Sequence, residues 1–126
     1  MAKILIIDDD PTILGVFKRF LEAKGHSVDV AANGQEGLDI VSKTPMDLIV
    51  TDIMMPDKDG LEVLIDMRKD HPDVPVIAIS GGMHVMPIDF LPLAKKFGAC
   101  KVLYKPIELE DLHAAIEEAL EGCRSS

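Results

Sequence analysis

Four consecutive residues, Leu48, Ile49, Val50 and Thr51, form an apolar and β-branched run with no polar alternation. A strand with one wet face alternates polar and apolar side chains. An unbroken run is a strand buried on both faces, the condition of a strand inside a parallel sheet. The run stops at Asp52, and Pro56 and Gly60 then mark a loop that cannot continue it. The form recurs along the chain. Ile4-Leu5-Ile6-Ile7 stops at Asp8-Asp9-Asp10, Pro75-Val76-Ile77-Ala78-Ile79 at Ser80-Gly81-Gly82, and Val102-Leu103-Tyr104 at Lys105-Pro106.

The intervening stretches read as helices. Pro11 suits a first helical position, and Ile13, Val16, Phe17, Phe20 and Leu21 keep helical spacing up to Gly25, a C′ residue. Val28 to Ala31 is a short second strand. Asn33 and Glu36 have the spacing of a capping box and open a helix through Leu38 and Val41; Asp59 and Glu62 repeat the pattern, with Leu61, Leu64 and Ile65 as the inner face. In the stretch 81–97, proline inside a helix would cost about 3 kcal/mol, so Pro87 and Pro92 forbid one long helix. A short fourth helix with Asp89 as N-cap and Phe90, Leu93, Ala94 and Phe97 inward satisfies both prolines. The fifth helix carries Leu109, Leu112, Ile116 and Leu120 on one face and ends near Gly122. Strand–helix alternation with short connections predicts an α/β fold: a doubly wound, five-stranded parallel sheet with helices on both faces. A single domain over 1–126, with no effector domain, is expected.

Composition narrows the function. A net charge of −9 argues against direct nucleic-acid binding, which needs a basic face. The apolar runs are far too short to span a membrane, and the first strand begins at once, so a cytoplasmic protein is expected. Cys100 and Cys123 make no framework and read as reduced thiols. His26, His71, His84 and His113 are scattered without ligand spacing, and Met54, Met55, Met83 and Met86 read as gap fillers.

The polar residues with chemical potential all fall at carboxyl ends of strands, where open α/β sheets place their ligands: Asp8 and Asp9, Asp52, Ser80 and Lys105. Three carboxylates so close repel one another and need a proton or a cation. An all-oxygen set with room for waters suits Mg²⁺ better than Ca²⁺. Lys105 adds a point charge for a phosphoryl oxygen and Ser80 a hydroxyl donor. Together these groups describe phosphoryl transfer onto an aspartate.

Asp8-Asp9, Asp52 with Pro56 and Gly60, Ser80, and Lys105-Pro106 resemble the receiver domain of two-component response regulators, of the CheY-like stand-alone type. The resemblance implies a flavodoxin-like sheet of strand order 2-1-3-4-5. It makes Asp52 the phosphoacceptor, Ser80 the switch hydroxyl and Lys105 the phosphate contact. Asp9, Asp52 and the backbone carbonyl of Met54 become Mg²⁺ ligands, with Asp8 holding metal-bound water, and the peptide before Pro106 becomes a candidate cis bond. A histidine kinase or histidine phosphotransfer protein is then the phosphoryl donor. An unspecified protein target would dock on the fourth helix, fifth strand and fifth helix. Val102 stands where receivers often carry an aromatic switch. A rival resemblance comes from Asp8-Asp9-Asp10-Pro11-Thr12, which fits the Asp-x-Asp-x-Thr signature of haloacid-dehalogenase-like phosphatases. There Asp8 would be the nucleophile and Asp10 the acid/base, and Asp52 would be left idle.

In receivers the residues two beyond the phosphoacceptor and two beyond the switch hydroxyl flank the path of hydrolytic water; here they are Met54 and Gly82. Neither can orient a water, so a long-lived phosphoryl group is expected. Met54→Asn and Met54→Glu should both shorten it, measured as decay of the purified phosphoprotein in excess Mg²⁺. Unchanged or slower decay in both contradicts this account.

Overall fold

The computed structural model describes residues 2–53, 60–80, 98–104 and 106–122. Its strands are Lys3–Ile7 (β1), Ser27–Ala31 (β2), Leu48–Asp52 (β3), Val76–Ser80 (β4) and Lys101–Tyr104 (β5). They pair in parallel as one sheet of order β2-β1-β3-β4-β5. The helices are Pro11–Ala23 (α1), Gly34–Lys43 (α2), Gly60–Asp70 (α3) and the C-terminal helix, Leu109–Gly122.

Alternation along each strand explains the unbroken apolar runs. Leu5, Ile7, Ile49, Val76 and Ala78 point to one face, where Val41 of α2 and Val63, Leu64 and Met67 of α3 cover them. Ile4, Ile6, Leu48, Val50, Ile77 and Ile79 point to the other, beneath Leu14, Phe17 and Leu21 of α1 and Leu112, Ala115 and Ile116 of the C-terminal helix. Each strand therefore feeds two cores, and the buried positions on both faces are almost all apolar, with Thr51 of β3 the buried polar exception short of the strand ends.

Local signals set the helix ends. Asp10 is the N-cap of α1: its carboxylate accepts from the Thr12 N–H at 2.9 Å, with Pro11 at the first position. The helix closes on Gly25, whose φ of 97° is left-handed; Gly25 N–H donates to the Glu22 carbonyl and His26 N–H to that of Leu21. This is a Schellman motif, and it sets where His26 enters β2. At α2 the Asn33 side chain accepts from the Glu36 N–H at 2.8 Å, and Glu36 reaches back to the Ala32 N–H at 2.7 Å, one residue before the cap.

Two expectations are corrected. Ile65 is 45% exposed, and the inner stripe of α3 is Val63, Leu64 and Met67. Both stripes have helical spacing, and the sheet selects the one that Val63 leads. Cys100, half-buried before β5, is disulfide-bonded. Sequence spacing cannot reveal a pairing that the tertiary fold creates. Cys123, the Asp59 cap and the predicted fourth helix with its prolines lie outside the described residues.

Gly37 marks a close approach of α2 to the sheet, where an added Cβ would sit 2.9 Å from Ile7 Cγ1. Alanine favours a helix over glycine by about 1 kcal/mol, but overpacking a filled core costs about 1–3 kcal/mol. Ile7 is only 1% exposed and has nowhere to move. Gly37→Ala should therefore lower stability by about 1 kcal/mol net, read as a lower urea midpoint; a raised midpoint would show that Ile7 can yield.

Candidate metal centre at the carboxyl edge of the sheet

Register brings the acidic residues together. Ile7 of β1 lies opposite Thr51 of β3, so the residues that follow, Asp8 and Asp52, reach the carboxyl edge of the sheet at the same level. Asp8 N–H donates to the Ala31 carbonyl at 3.1 Å, extending the ladder by one step and fixing its backbone. Asp52 is still in β3, across from Ile79, and the Ile53 N–H to Ile79 carbonyl bond at 2.9 Å fixes the residue after it. Asp8 and Asp52 are 2% and 5% exposed, whereas Asp9 faces solvent.

One carboxylate oxygen from each of Asp8, Asp9 and Asp52 lies within 4.8 Å of the others. Such a set of negative oxygens, two of them from buried residues, can hold a divalent cation, with the solvent side left for water. An oxygen-only donor set of this size fits a hard ion.

Asp10 is not part of this cluster. Its backbone N–H donates to Asp8 Oδ1 at 2.9 Å while its own carboxylate is committed to capping α1. The triplet of aspartates thus divides its work: Asp8 and Asp9 line the centre, and Asp10 starts the helix beneath it. Ser80 ends β4 opposite Tyr104 of β5, so its backbone reaches the same edge. Met54 and Lys105, and with Lys105 the candidate cis peptide, lie outside the described residues; Pro106 is exposed. Val102 is half-buried and packs on the α2/α3 side of the sheet.

A second group escaped sequence reading. His26, His113 and Glu117 also present ligand atoms within 4.8 Å of one another, so these histidines are not scattered. His113 and Glu117 are four apart, a spacing that places both on one helix face. The partnership with His26 is tertiary and leaves no trace in spacing.

The sheet order, the helices on both faces and an acidic cluster at the carboxyl edge define a flavodoxin-like domain with a group of carboxylates that could hold a cation beside a buried aspartate. The chain belongs to the response regulator receiver domain family, whose model matches residues 4–117. A receiver domain protein from Clostridium thermocellum superposes with a TM-score of 0.88 at 37% identity, covering 96% of this chain and 95% of that one. Among curated proteins, the chain is 36% identical over 118 residues to the probable C4-dicarboxylate response regulator DctR of Bacillus subtilis, covering 92% of this chain and 51% of DctR. It is 32% identical over 120 residues to the transcriptional regulatory protein GlrR of Escherichia coli, covering 95% of this chain and 26% of GlrR. The chain thus spans between about a quarter and about half of the length of these curated relatives. Receiver domains are modules of two-component signalling rather than classical enzymes. Nothing supports the phosphatase resemblance, and the capping role of Asp10 removes its acid/base.

Losing an N-cap costs about 1 kcal/mol, so Asp10→Ala should lower stability by that amount. Divalent-metal affinity, measured calorimetrically, should stay within a few-fold of wild type, while Asp9→Asn should weaken it markedly. Equal losses in both variants would place Asp10 in the centre.

Proposed function

We propose that this receiver module accepts a phosphoryl group on Asp52 and that the modification switches a protein-binding surface. The observation that carries the proposal is the gathering of Asp8 and Asp9 around Asp52, itself buried at the carboxyl end of the central strand. A carboxylate oxygen of Asp52 attacks the phosphorus of a phosphohistidine on a histidine kinase or phosphotransfer protein. The new P–O bond forms as the P–N bond breaks, and the imidazole leaves.

Asp8, Asp9, Asp52 and the Met54 carbonyl would hold Mg²⁺, which when bound supplies positive charge against the phosphoryl oxygens. Lys105 contributes a second positive charge and Ser80 a hydroxyl donor to the same oxygens. The module thus catalyses only its own phosphorylation and dephosphorylation. The modification adds roughly −1.5 to −2 charges, and the Ser80 hydroxyl drawn toward them carries the change to the neighbouring loop.

The output face would comprise the expected fourth helix, whose residues lie outside those described, with β5 and the C-terminal helix. Tyr104, 51% exposed on β5, supplies the kind of aromatic on which protein partners anchor. The acidic net charge, −9, fits a protein rather than a nucleic-acid target. We place the module in the cytoplasm, where ATP-charged phosphohistidine donors reside. No described helix is long and apolar enough to cross a membrane.

Incubation with acetyl phosphate and Mg²⁺, followed by intact-mass measurement, tests the assignment. Wild type should gain a single phosphoryl adduct, Asp52→Asn none, and Asp8→Asn a reduced but detectable amount. An adduct that survives Asp52→Asn and is lost in Asp8→Asn would overturn it.

A further inference from the structure

At the end of the sheet opposite the aspartates, the α1–β2 connection meets the C-terminal helix. His26, placed there by the Schellman turn, is 9% exposed. Its Nδ1 accepts from the Ala2 N–H at 3.1 Å, which leaves Nε2 facing the C-terminal helix. Glu117 Oε2 lies 3.6 Å from His26 Nε2 and 3.6 Å from His113 Nε2. The Phe20 and His113 rings meet in a T-shaped arrangement, centroids 6.2 Å apart and planes at 85°.

We propose that His26, His113 and Glu117 form a binding site for a transition-metal dication of the zinc class. The donor set decides the class. Two imidazole nitrogens and one carboxylate oxygen suit Zn²⁺ and its neighbours, whereas Mg²⁺ and Ca²⁺ favour oxygen alone. Tetrahedral ligands on bonds of about 2.0–2.1 Å stand roughly 3.3 Å apart. The two 3.6 Å separations are already close to that, and the remaining pair, His26 and His113, lies within 4.8 Å, so the two imidazoles must draw together on an ion to complete the geometry. His26 and Glu117 also line a solvent-connected cleft of about 620 Å³, which gives an ion a way in and leaves a coordination position for water.

The Ala2 bond sets the proton inventory. With Nδ1 accepting, the neutral His26 ring carries its proton on Nε2. Metal uptake places the ion on Nε2 and moves that proton to Nδ1, so the ring stays neutral and the Ala2 N–H loses its acceptor. Occupancy therefore tethers the start of β2 to the C-terminal helix and loosens the hydrogen bond that holds residue 2.

Cobalt(II) in place of zinc makes the site visible, because tetrahedral cobalt absorbs strongly in the visible range and octahedral cobalt on oxygen ligands weakly. Titration of the full chain with Co²⁺, without thiol reductant, should give one intense band at one equivalent. Asp9→Asn, which disables the aspartate centre, should keep the band. His113→Ala and Glu117→Gln should each reduce it at least tenfold, and neither should alter acetyl phosphate labelling of Asp52. Both variants change partly exposed side chains, 27% and 50%, so folding is preserved. In parallel, Zn²⁺ should shift the ring-proton NMR signals of His26 and His113 together and shift the Ala2 amide. The absence of an intense band, a band indifferent to both variants, or movement of His113 alone would overturn the site. Loss of Asp52 labelling with the cobalt band intact would instead count against the phosphoacceptor.

Discussion

Asp47 and Lys3 clasp β3 to β1 at the end of the sheet remote from the carboxylates. The Lys3 N–H donates to Asp47 Oδ2 at 2.8 Å, and the Asp47 N–H donates to the Lys3 carbonyl at 2.8 Å. From this clasp the register runs Ile4 opposite Leu48 up to Ile7 opposite Thr51, and Asp8 and Asp52 emerge at one height. A slip of one residue would send every side chain of a strand to the wrong face. It would bury the wrong set against each core and separate the two aspartates by a residue's rise, about 3.3 Å. The same constraint thus secures the core and assembles the centre, which is why a short apolar strand can carry a buried carboxylate at its end.

Much of this was legible because the chain states it locally. Unbroken runs such as Ile4 to Ile7 announce strands covered on both sides, and the residue that ends each run names an edge position. Asp8, Asp9 and Asp52 were legible for that reason, and their meeting follows from strands of equal length in parallel register. Strand order came instead from the family resemblance, since periodicity says nothing about which strands are neighbours. What local patterning could not resolve was choice between equivalents. Ile65 and Met67 both extend a helical stripe from the start of α3, and only contact with Ile49, Val76 and the rest of that face excludes Ile65. The adjacent aspartates Asp8, Asp9 and Asp10 also fit a second signature, one that leaves Asp52 idle, and the N-cap bond to Thr12 assigns Asp10 to the helix. His26, His113 and Glu117 were illegible as a set because their association depends on how the C-terminal helix lies over the turn after α1.

The two ends of the sheet serve opposite chemistries, and each draws on the connections that open there. At the carboxyl edge, hard oxygen donors follow directly from strands. At the amino edge, the softer nitrogen donors come from a helix terminus and a helix face. Because Asp8 accepts the Asp10 N–H and Asp10 caps α1, the first helix is referenced to the acidic centre at its start. The Schellman turn references it to His26 at its finish. One rigid helix therefore spans both sites.

A single sheet that feeds two cores also acts as a partition. Among the described residues, Leu5 and Ile7 belong to one core cluster and Ile4 and Ile6 to the other, although they alternate along one strand. Substitutions on opposite sides should then combine additively, since independent sites couple little. The lineage of such a domain can rework the α2/α3 side and the side of α1 and the C-terminal helix as separate evolutionary experiments. The backbone of β1 and β3 stays common to both, and with it the distance between the aspartates.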